Sequence, residues 1–281
     1  NGKDLMIPAM EQRLDMGDGT SISINNPSIA VSVFDKEGFV KSFDKTNVLS
    51  SLPVMAGNPI RMFLHAFLKY KGVDTEQKVN VYPGEYALNG SDIEVRNATS
   101  ARMNTDKAAE ISLDMALAGS FDVPHQKVFK EMLEKDPNVW SEFQRFLDVF
   151  GIPLVNWDGT VLEKPTALAT TGRDVFVMNI DRLGYAISSF LDMSKFDNLA
   201  LIPGVKEACD KTVAVVLDQE RRKKLKLNAF PIIESLGSDV HDQSLSNATV
   251  DITTPDGESV VFIGTRSPFV DTGIIINPKS G

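Results

Sequence analysis

The stretch NPIRMFLHAFLKY, residues 58–70, joins a helix start to an apolar stripe. Asn58 is a good N-cap, and Pro59 suits the first helical position, where the backbone N–H has no partner inside the helix. Large apolar residues then recur at helical spacing, at Ile60, Phe63, Leu64, Phe67 and Leu68. This pattern predicts a helix with one face in the core. His65 lies beside the stripe, and we expect it to be a core or flanking histidine rather than a metal ligand.

Short strands are predicted before this helix. The segments TSISI, IAVSVF and GFVKSF, between Thr20 and Phe43, are rich in β-branched and aromatic residues. Turn-forming residues separate them at positions 25–27 and 35–38. We therefore expect three strands within a strand-rich N-terminal arm of residues 1–57.

Residues 58–171 form the second predicted region, which is helical apart from an extended β excursion at residues 73–104. Within the excursion, Asn89 and Gly90 stand between two β-prone runs, and both tolerate the positive φ that a tight hairpin turn needs. We expect a β-hairpin from Pro83 to Val95 that projects from the core and packs on a neighbouring subunit. Its predicted contact residues are Tyr86, Asn89 and Gly90.

Three helices are predicted to follow the excursion. The first begins at Thr105 and ends at Gly119, a residue suited to a helix C-terminus. The second begins at Asp122, and the third begins after Pro137 and ends at Gly151. The third helix carries an aromatic stripe at helical spacing, formed by Trp140, Phe143, Phe146 and Phe150. Such a stripe belongs to a core more often than to a partner groove, so we expect core.

Residues 172–281 are predicted to be an α/β C-terminal region. DVFVM, residues 174–178, is typical of a buried strand, and a helical pattern follows it as far as Leu191. Residues 205–227 have conflicting preferences, because KEACDK and QERRKKLK favour helix whereas TVAVVL favours strand. ATVDIT, ESVVFI and GIIIN then predict a C-terminal β-hairpin and a third strand. The expected fold class is α+β, a mixed sheet-and-helix architecture with a projecting β-hairpin and a C-terminal β-hairpin.

The composition limits the class of protein. The chain has 281 residues with one cysteine, three histidines and a formal net charge of −9. A single cysteine excludes an internal disulfide framework, and the negative charge opposes a global attraction to nucleic acid or anionic membranes. The sequence has neither a run of about 18 apolar residues nor a signal-peptide pattern, so we expect no membrane span. Asn1 at the start reflects either a missing segment or a maturation cleavage.

Cys209 is the only cysteine and therefore the first candidate for a nucleophile. Its acidic neighbours Glu207 and Asp210 would raise the pKa of the thiol, which makes it a poor nucleophile. We expect Cys209 to be a buried small hydrophobe. His125, like His65, stands in no motif of a catalytic or metal site, and a site built from two distant carboxylates stays open.

Two further segments contain suggestive residue types. DMGDG, residues 15–19, begins like a calcium loop but has glycine at two of the ligand positions. His241, Asp242 and Ser244 are the residue types of a hydrolytic triad, yet neighbours in sequence cannot generally align as one, and a solvated loop is expected. We predict no catalytic residue, no metal ligand and no cofactor.

A basic run on this acidic chain is the strongest electrostatic feature. It consists of Arg221, Arg222, Lys223, Lys224 and Lys226. The run is a candidate contact for phosphates of a nucleic acid or for an acidic neighbouring subunit, and a solvated helical face is the alternative. It has no interleaved aromatic residues, so it lacks the stacking platform expected for single-stranded nucleic acid.

The order of these segments resembles a known family of shell proteins. N-terminal strands precede VYPGEYALNGSDIEVRN (81–97), DMALAGSFDV (114–123), TTGRDVFVMNIDRLGYAI (170–187) and a late β-hairpin. This order is similar to that of the lambda-type major capsid proteins of tailed bacteriophages, which have the HK97-like shell fold. The resemblance implies that the excursion is the extended loop, residues 105–118 are part of the spine helix, and residues 172–277 are much of the peripheral domain. Other assembly proteins of a virion or a repeating shell fit the same pattern.

The function expected from these patterns is structural. We expect a self-assembling homo-oligomer, most specifically a bacteriophage capsid or virion shell subunit, with no small-molecule substrate. Its location would then be the virion, and otherwise the cytoplasm as a soluble protein. One alternative is a nucleic-acid or partner-binding module that uses residues 221–226. Another is an enzyme whose carboxylate-based site is not visible in the sequence.

Overall fold

The computed structural model describes the central helices and several strands of the chain. The residues that it describes are 11–15, 21–25, 30–35, 38–44, 54–55, 59–80, 110–118, 121–156, 159–165, 176–177, 180–191, 202–218, 247–253, 259–266 and 271–276. Their helices are α1 (Pro59–Tyr70), α2 (Leu113–Ala118), α3 (Asp122–Lys135), α4 (Val139–Val149), α5 (Ile180–Leu191) and α6 (Val205–Val216). Their strands are β1 (Glu11–Asp15), β2 (Ser21–Asn25), β3 (Ala30–Asp35), β4 (Gly38–Asp44), β5 (Val54–Met55), β6 (Lys78–Asn80), β7 (Glu110–Ser112), β8 (Phe176–Val177), β9 (Asn247–Thr253), β10 (Ser259–Arg266) and β11 (Asp271–Ile276). Packed helices beside small antiparallel sheets make this an α+β fold.

Helix α1 lies at the centre of the described core. It begins at Pro59, as predicted, and every residue from Pro59 to Leu68 is buried. It packs against α2, α3, α4 and α6. Phe63 contacts the rings of Phe150 and Phe190, whose centroids lie 5.1 Å and 4.7 Å away. The predicted core stripe is confirmed, and burial extends around the whole helix rather than along one face.

Helices α3 and α4 form a corner that closes the core over α1. Asp136 follows the last residue of α3, and its carboxylate accepts the backbone N–H of Asn138 at 2.9 Å. The chain leaves α4 through Gly151, whose φ of +72° would strain a residue with a Cβ. The predicted aromatic stripe of α4 is confirmed as core, because all of its rings are buried: Trp140, Phe143, Phe146 and Phe150.

The helix predicted from Thr105 to Gly119 is wrong over residues 110–112. These residues form β7, which pairs antiparallel with β6. Helix α2 begins only at Leu113, where the Ser112 hydroxyl accepts the backbone N–H of Met115 at 3.2 Å and caps the helix start. Pairing with β6, a strand that is distant in sequence, overrides a helix preference that is purely local. Residues 105–109 and Gly119 lie outside the described residues.

Helix α6 settles the conflict of preferences at the start of residues 205–227. It contains the run TVAVV, residues 212–216, which the local preference would make a strand. Its buried positions recur at helical spacing, at Val205, Ala208, Cys209, Thr212, Val215 and Val216. Packing of this stripe against α1 and α2 outweighs the small β preference of its branched residues. Residues 219–227 lie outside the described ranges.

The predicted strands are confirmed where the structure describes them. The N-terminal three are β2, β3 and β4, and β1 precedes them as a strand that the sequence did not predict. Asp35 at the end of β3 pairs with Gly38 at the start of β4. The DVFVM strand is β8, which pairs with β5 and leads into α5. At the C-terminal end β10 lies between β9 and β11, which gives the predicted hairpin and third strand.

Replacing Phe67 by alanine should destabilise the fold strongly. Phe67 is fully buried on α1 and contacts the rings of Phe129, Phe143 and Phe146. Truncation of a buried phenylalanine costs about 3–5 kcal/mol because the cavity does not close completely. We expect this loss in the free energy of unfolding, measured by urea titration with far-UV circular dichroism. The control Val161→Ala, at a side chain that is 58% exposed, should change it by less than about 0.5 kcal/mol. Equal losses in the two variants would contradict the central position of α1.

Candidate functional site

Ionisable side chains meet inside the core where α1, α2 and α3 pack together. Arg61, His65 and Lys69 recur every four residues on α1, and this spacing places them along one side of the helix. The side chains that face them come from Asp114 on α2 and from Asp122 and His125 in the first turn of α3. We call these residues the buried charge cluster.

Arg61 and Asp122 form a buried salt bridge between α1 and α3. The guanidinium Nη2 donates to Asp122 Oδ1, and both side chains are at most 2% exposed. Asp122 is the first residue of α3, so its carboxylate also lies near the positive end of the helix dipole. A pair this deeply buried affects stability mainly when one partner is lost, because the other charge then stays buried without compensation.

His65 stands between Asp114 and His125. Its Nε2 lies 3.0 Å from Asp114 Oδ1, and its Nδ1 lies 2.9 Å from His125 Nε2. Lys69 Nζ donates to Asp114 Oδ1 at 3.1 Å and to Thr75 Oγ1 at 2.5 Å. The Asp114 backbone N–H in turn donates to the Thr75 carbonyl at 3.2 Å. These contacts join three helices through ionisable side chains.

The surroundings shift the pKa values of two members of the cluster. Burial by itself would raise the pKa of Asp114, but hydrogen bonds from its polar neighbours, His65 first among them, outweigh this and hold the pKa well below its usual range. Burial lowers the pKa of His125 well below 6.5, and the charges of His65 and Arg61 lower it further. At neutral pH Asp114 is therefore a carboxylate and His125 is a neutral imidazole.

An aspartate and two histidines in a row can fix tautomers and relay a proton. A catalytic site also needs access for a substrate, and the cluster has little, because His65, His125 and Asp114 are at most 4% exposed. The 2.9 Å contact between the rings already uses a nitrogen of each histidine. In the part of the chain that the structure describes, no group of three or more His, Cys, Asp or Glu side chains is placed to hold a metal ion. The polar contacts of the cluster link α1 to α2 and α3 inside the core.

The structure places two of the residues singled out from the sequence as expected, His65 in the core and Cys209 on α6. Cys209 is buried on α6, which confirms the prediction of a small core residue. Burial raises the pKa of its thiol, and the charge of Asp210 raises it further. Glu207, the other acidic neighbour named from the sequence, points to a different partner and forms an ion pair with Lys211 at 2.6 Å.

The other segments singled out from the sequence are described only in part. Asp15 ends β1 and Ser21 begins β2, so strands flank DMGDG where a calcium-binding helix-loop-helix would have helices. The predicted hairpin contacts Tyr86, Asn89 and Gly90 lie outside the described residues. The basic run Arg221, Arg222, Lys223, Lys224 and Lys226 and the triad-like set His241, Asp242 and Ser244 also lie outside them.

The contact between His65 and His125 was missed from the sequence. The two residues are 60 positions apart, and helical periodicity carries no information about contacts between helices. One signal was present, because Arg61, His65 and Lys69 place a polar line on an otherwise apolar helix. Such a line indicates that the facing elements supply side chains of opposite charge.

Replacing Asp122 by asparagine should destabilise the fold by about 3–5 kcal/mol, because the Arg61 guanidinium stays buried without its carboxylate. The matched control is Asp210→Asn, which removes an exposed ion pair with Lys206 and should cost at most about 1 kcal/mol. Urea unfolding measures both. Adding Arg61→Met to Asp122→Asn should recover part of the loss, since the uncompensated charge is then gone. A double variant that loses more stability than the Arg61→Met and Asp122→Asn single variants lose together would contradict the pairing.

No protein-family model matches the sequence, and no curated protein sequence matches it. Within the described ranges, no helix combines the length and the apolar composition that a membrane crossing requires. Inference about function therefore rests on the sequence patterns and on the geometry of the chain.

Proposed function

We propose that this chain is a structural protein that assembles with copies of itself. The observation that carries the proposal is the base of the predicted excursion. β6 and β7 pair antiparallel, with Asn80 opposite Glu110, so residues 81–109 begin and end at one place in the fold. Val79 and Ser112 are buried at this base. The intervening segment is therefore anchored in the helical core at both ends.

A long segment held at its base suits contact with a neighbour. Connections of this length in compact domains are usually either functional, binding loops among them, or linker segments. The sequence from Pro83 to Val95 has few large apolar residues of the kind that build a core. Packing on a second copy would bury surface that one chain cannot bury alone, and main-chain pairing with an edge strand is a common way to do so.

The small sheets at the two ends of the chain support the same proposal. Among the described elements, neither the β1–β2 ribbon nor the sheet of β9, β10 and β11 packs extensively against another element. A two-stranded ribbon is marginally stable on its own. In the C-terminal sheet, Phe262 of β10 pairs with Val250 of β9 and with Ile275 of β11, so three apolar residues share one row. Apolar rows are typical of a sheet that another element covers, and a neighbouring copy would supply that element.

The most specific form of the proposal is a capsid or virion shell subunit of a tailed bacteriophage, with the HK97-like fold. The order of elements supports it: a strand-rich arm, an excursion, a set of helices and a late antiparallel sheet. One implied element differs, because residues 110–112 are a strand and α2 covers only Leu113–Ala118, where the resemblance implies a spine helix over 105–118. The shell proposal therefore rests on the excursion and the small sheets.

Deleting residues 83–95, with a short Gly-Ser bridge in their place, should abolish assembly and leave a folded subunit. The β6–β7 base and α1 are outside the deletion, so the circular dichroism spectrum and cooperative unfolding should persist. Light scattering and electron microscopy measure the particle mass and shape before and after the deletion. Unchanged particles would contradict the role of the hairpin. A wild-type chain that stays monomeric at all concentrations would contradict the assembly proposal as a whole.

Reversing charges in the basic run, with Arg222→Glu and Lys223→Glu, should weaken association most at low salt. Above about 0.5 M salt the screening length falls to a few ångströms, so mutant and wild type should converge. The matched control is Lys206→Glu with Lys211→Glu, at side chains of α6 that are 48% and 60% exposed. Analytical ultracentrifugation with and without nucleic acid measures the effect. A defect seen only with nucleic acid would favour a binding module, and the same behaviour as the control would leave the run a solvated face.

A further inference from the structure

We propose that the contact between His65 and His125 is an acid-sensitive latch, which holds α1 to α3 at neutral pH and opens when both imidazoles become protonated. The inference concerns the stability of the folded chain and does not depend on the proposed assembly. It stands on the 2.9 Å separation of His65 Nδ1 and His125 Nε2. It also stands on the burial of both rings, which are 0% and 1% exposed.

The short contact between the rings has room for one hydrogen. When both rings are neutral, one ring nitrogen at the contact carries a hydrogen and donates it to the other. With one added proton the contact still holds a single hydrogen, because one ring is a cation that donates and the other stays neutral and accepts. With two added protons each ring has an N–H at the contact, and two donors of like charge 2.9 Å apart repel each other. The folded chain therefore binds one proton fewer than the two histidines bind when it unfolds.

The charges nearest to the pair do not relieve this repulsion. Arg61 and Lys69 are cations one turn away from His65 on either side along α1. Asp114 on α2 already faces His65 and Lys69, and Asp122 on α3 already pairs with Arg61. Each carboxylate of the buried charge cluster therefore already contacts a cation when the histidine pair binds a second proton.

The other elements packed on these helices place their charges towards the surface. α6 adds the buried, uncharged thiol of Cys209. The charged residues of the neighbouring elements that the structure describes are exposed or half-buried: Lys78 on β6, Glu110 on β7, Glu142, Arg145 and Asp148 on α4, and Lys206, Glu207, Asp210 and Lys211 on α6. The response to acid in this part of the core therefore comes from the histidine pair.

The direction of the pH effect follows from the proton count. An unfolded histidine has a pKa of about 6.5, whereas burial holds the pKa of His125 in the folded chain well below that value. Below about pH 6.5 the unfolded chain binds a proton that the folded chain does not bind. The unfolding equilibrium constant therefore rises about tenfold for each unit by which the pH decreases. Above that pH the full stability is present. Asp114, whose pKa is lowered on folding, adds to the loss only below about pH 4.

The test compares the full-length wild type with His125→Gln by urea unfolding at one protein concentration, from about pH 7.5 to about pH 5, above the range in which carboxylates titrate. Glutamine keeps a side-chain donor near His65 Nδ1 but does not titrate. Below about pH 6, we expect the ratio of the unfolding constants, variant over wild type, to fall about tenfold for each unit by which the pH decreases. The control is His241→Gln, at the third histidine of the chain, which the sequence predicts to lie in a solvated loop, so the ratio should stay constant. A ratio for His125→Gln that does not change with pH would overturn the latch.

A measurement on the wild type alone keeps the inference testable if His125→Gln does not fold. NMR titration of the histidine ring protons follows each of the three imidazoles in the native chain. We expect one imidazole to remain neutral at about pH 5, more than one unit below the usual histidine pKa. Three rings that all titrate at or above about pH 6 would show that the folded core accepts both protons, which would overturn the proposal.

Discussion

A helix buried on all sides can hold a charged side chain only if the helices around it supply the opposite charge. α1 is buried from Pro59 to Leu68, yet the guanidinium of Arg61 lies within this stretch. Taking an ion out of water costs several kcal/mol even after relaxation of the protein. Asp122 on α3 provides the compensation for Arg61, and Asp114 on α2 does so for Lys69, the next cation along α1. The arrangement of three helices is thus fixed by charge matching, while apolar packing provides most of the favourable free energy.

The same constraint separates what local sequence could predict from what it could not. The periodic apolar residues, Pro59 at the start of α1 and Gly151 after α4 are local signals, and they predicted these helices correctly. Residues 110–112 form a strand and residues 212–216 form a helix, against their local preferences. The first pair with β6 and the second pack against α1, and both of these elements are distant in sequence. The stabilisation from strand pairing and helix packing at those positions exceeds propensity differences of less than about 1 kcal/mol per residue.

The buried charge cluster was still harder to predict than the fold. Asp114 and Asp122 stand in amphipathic stretches where a carboxylate would ordinarily face water, and no feature next to them in sequence indicates burial. His125 was assigned no partner for the same reason. Burial of these groups is a property of how helices meet, which is decided by contacts across about 60 residues. The polar line on α1 reveals that partners are needed but does not identify them.

The pairing of Asn80 with Glu110 also affects how the length of this protein can change during evolution. Strand pairing holds the Cα atoms of Asn80 and Glu110 about 5 Å apart, whatever chain lies between them. Doubling the length of a flexible loop costs only about 0.6 kcal/mol of closure entropy. Insertions and deletions there leave the packing around α1 intact. The core and the segment that it anchors are therefore free to diverge at different rates, the core limited by packing and the segment by its partners.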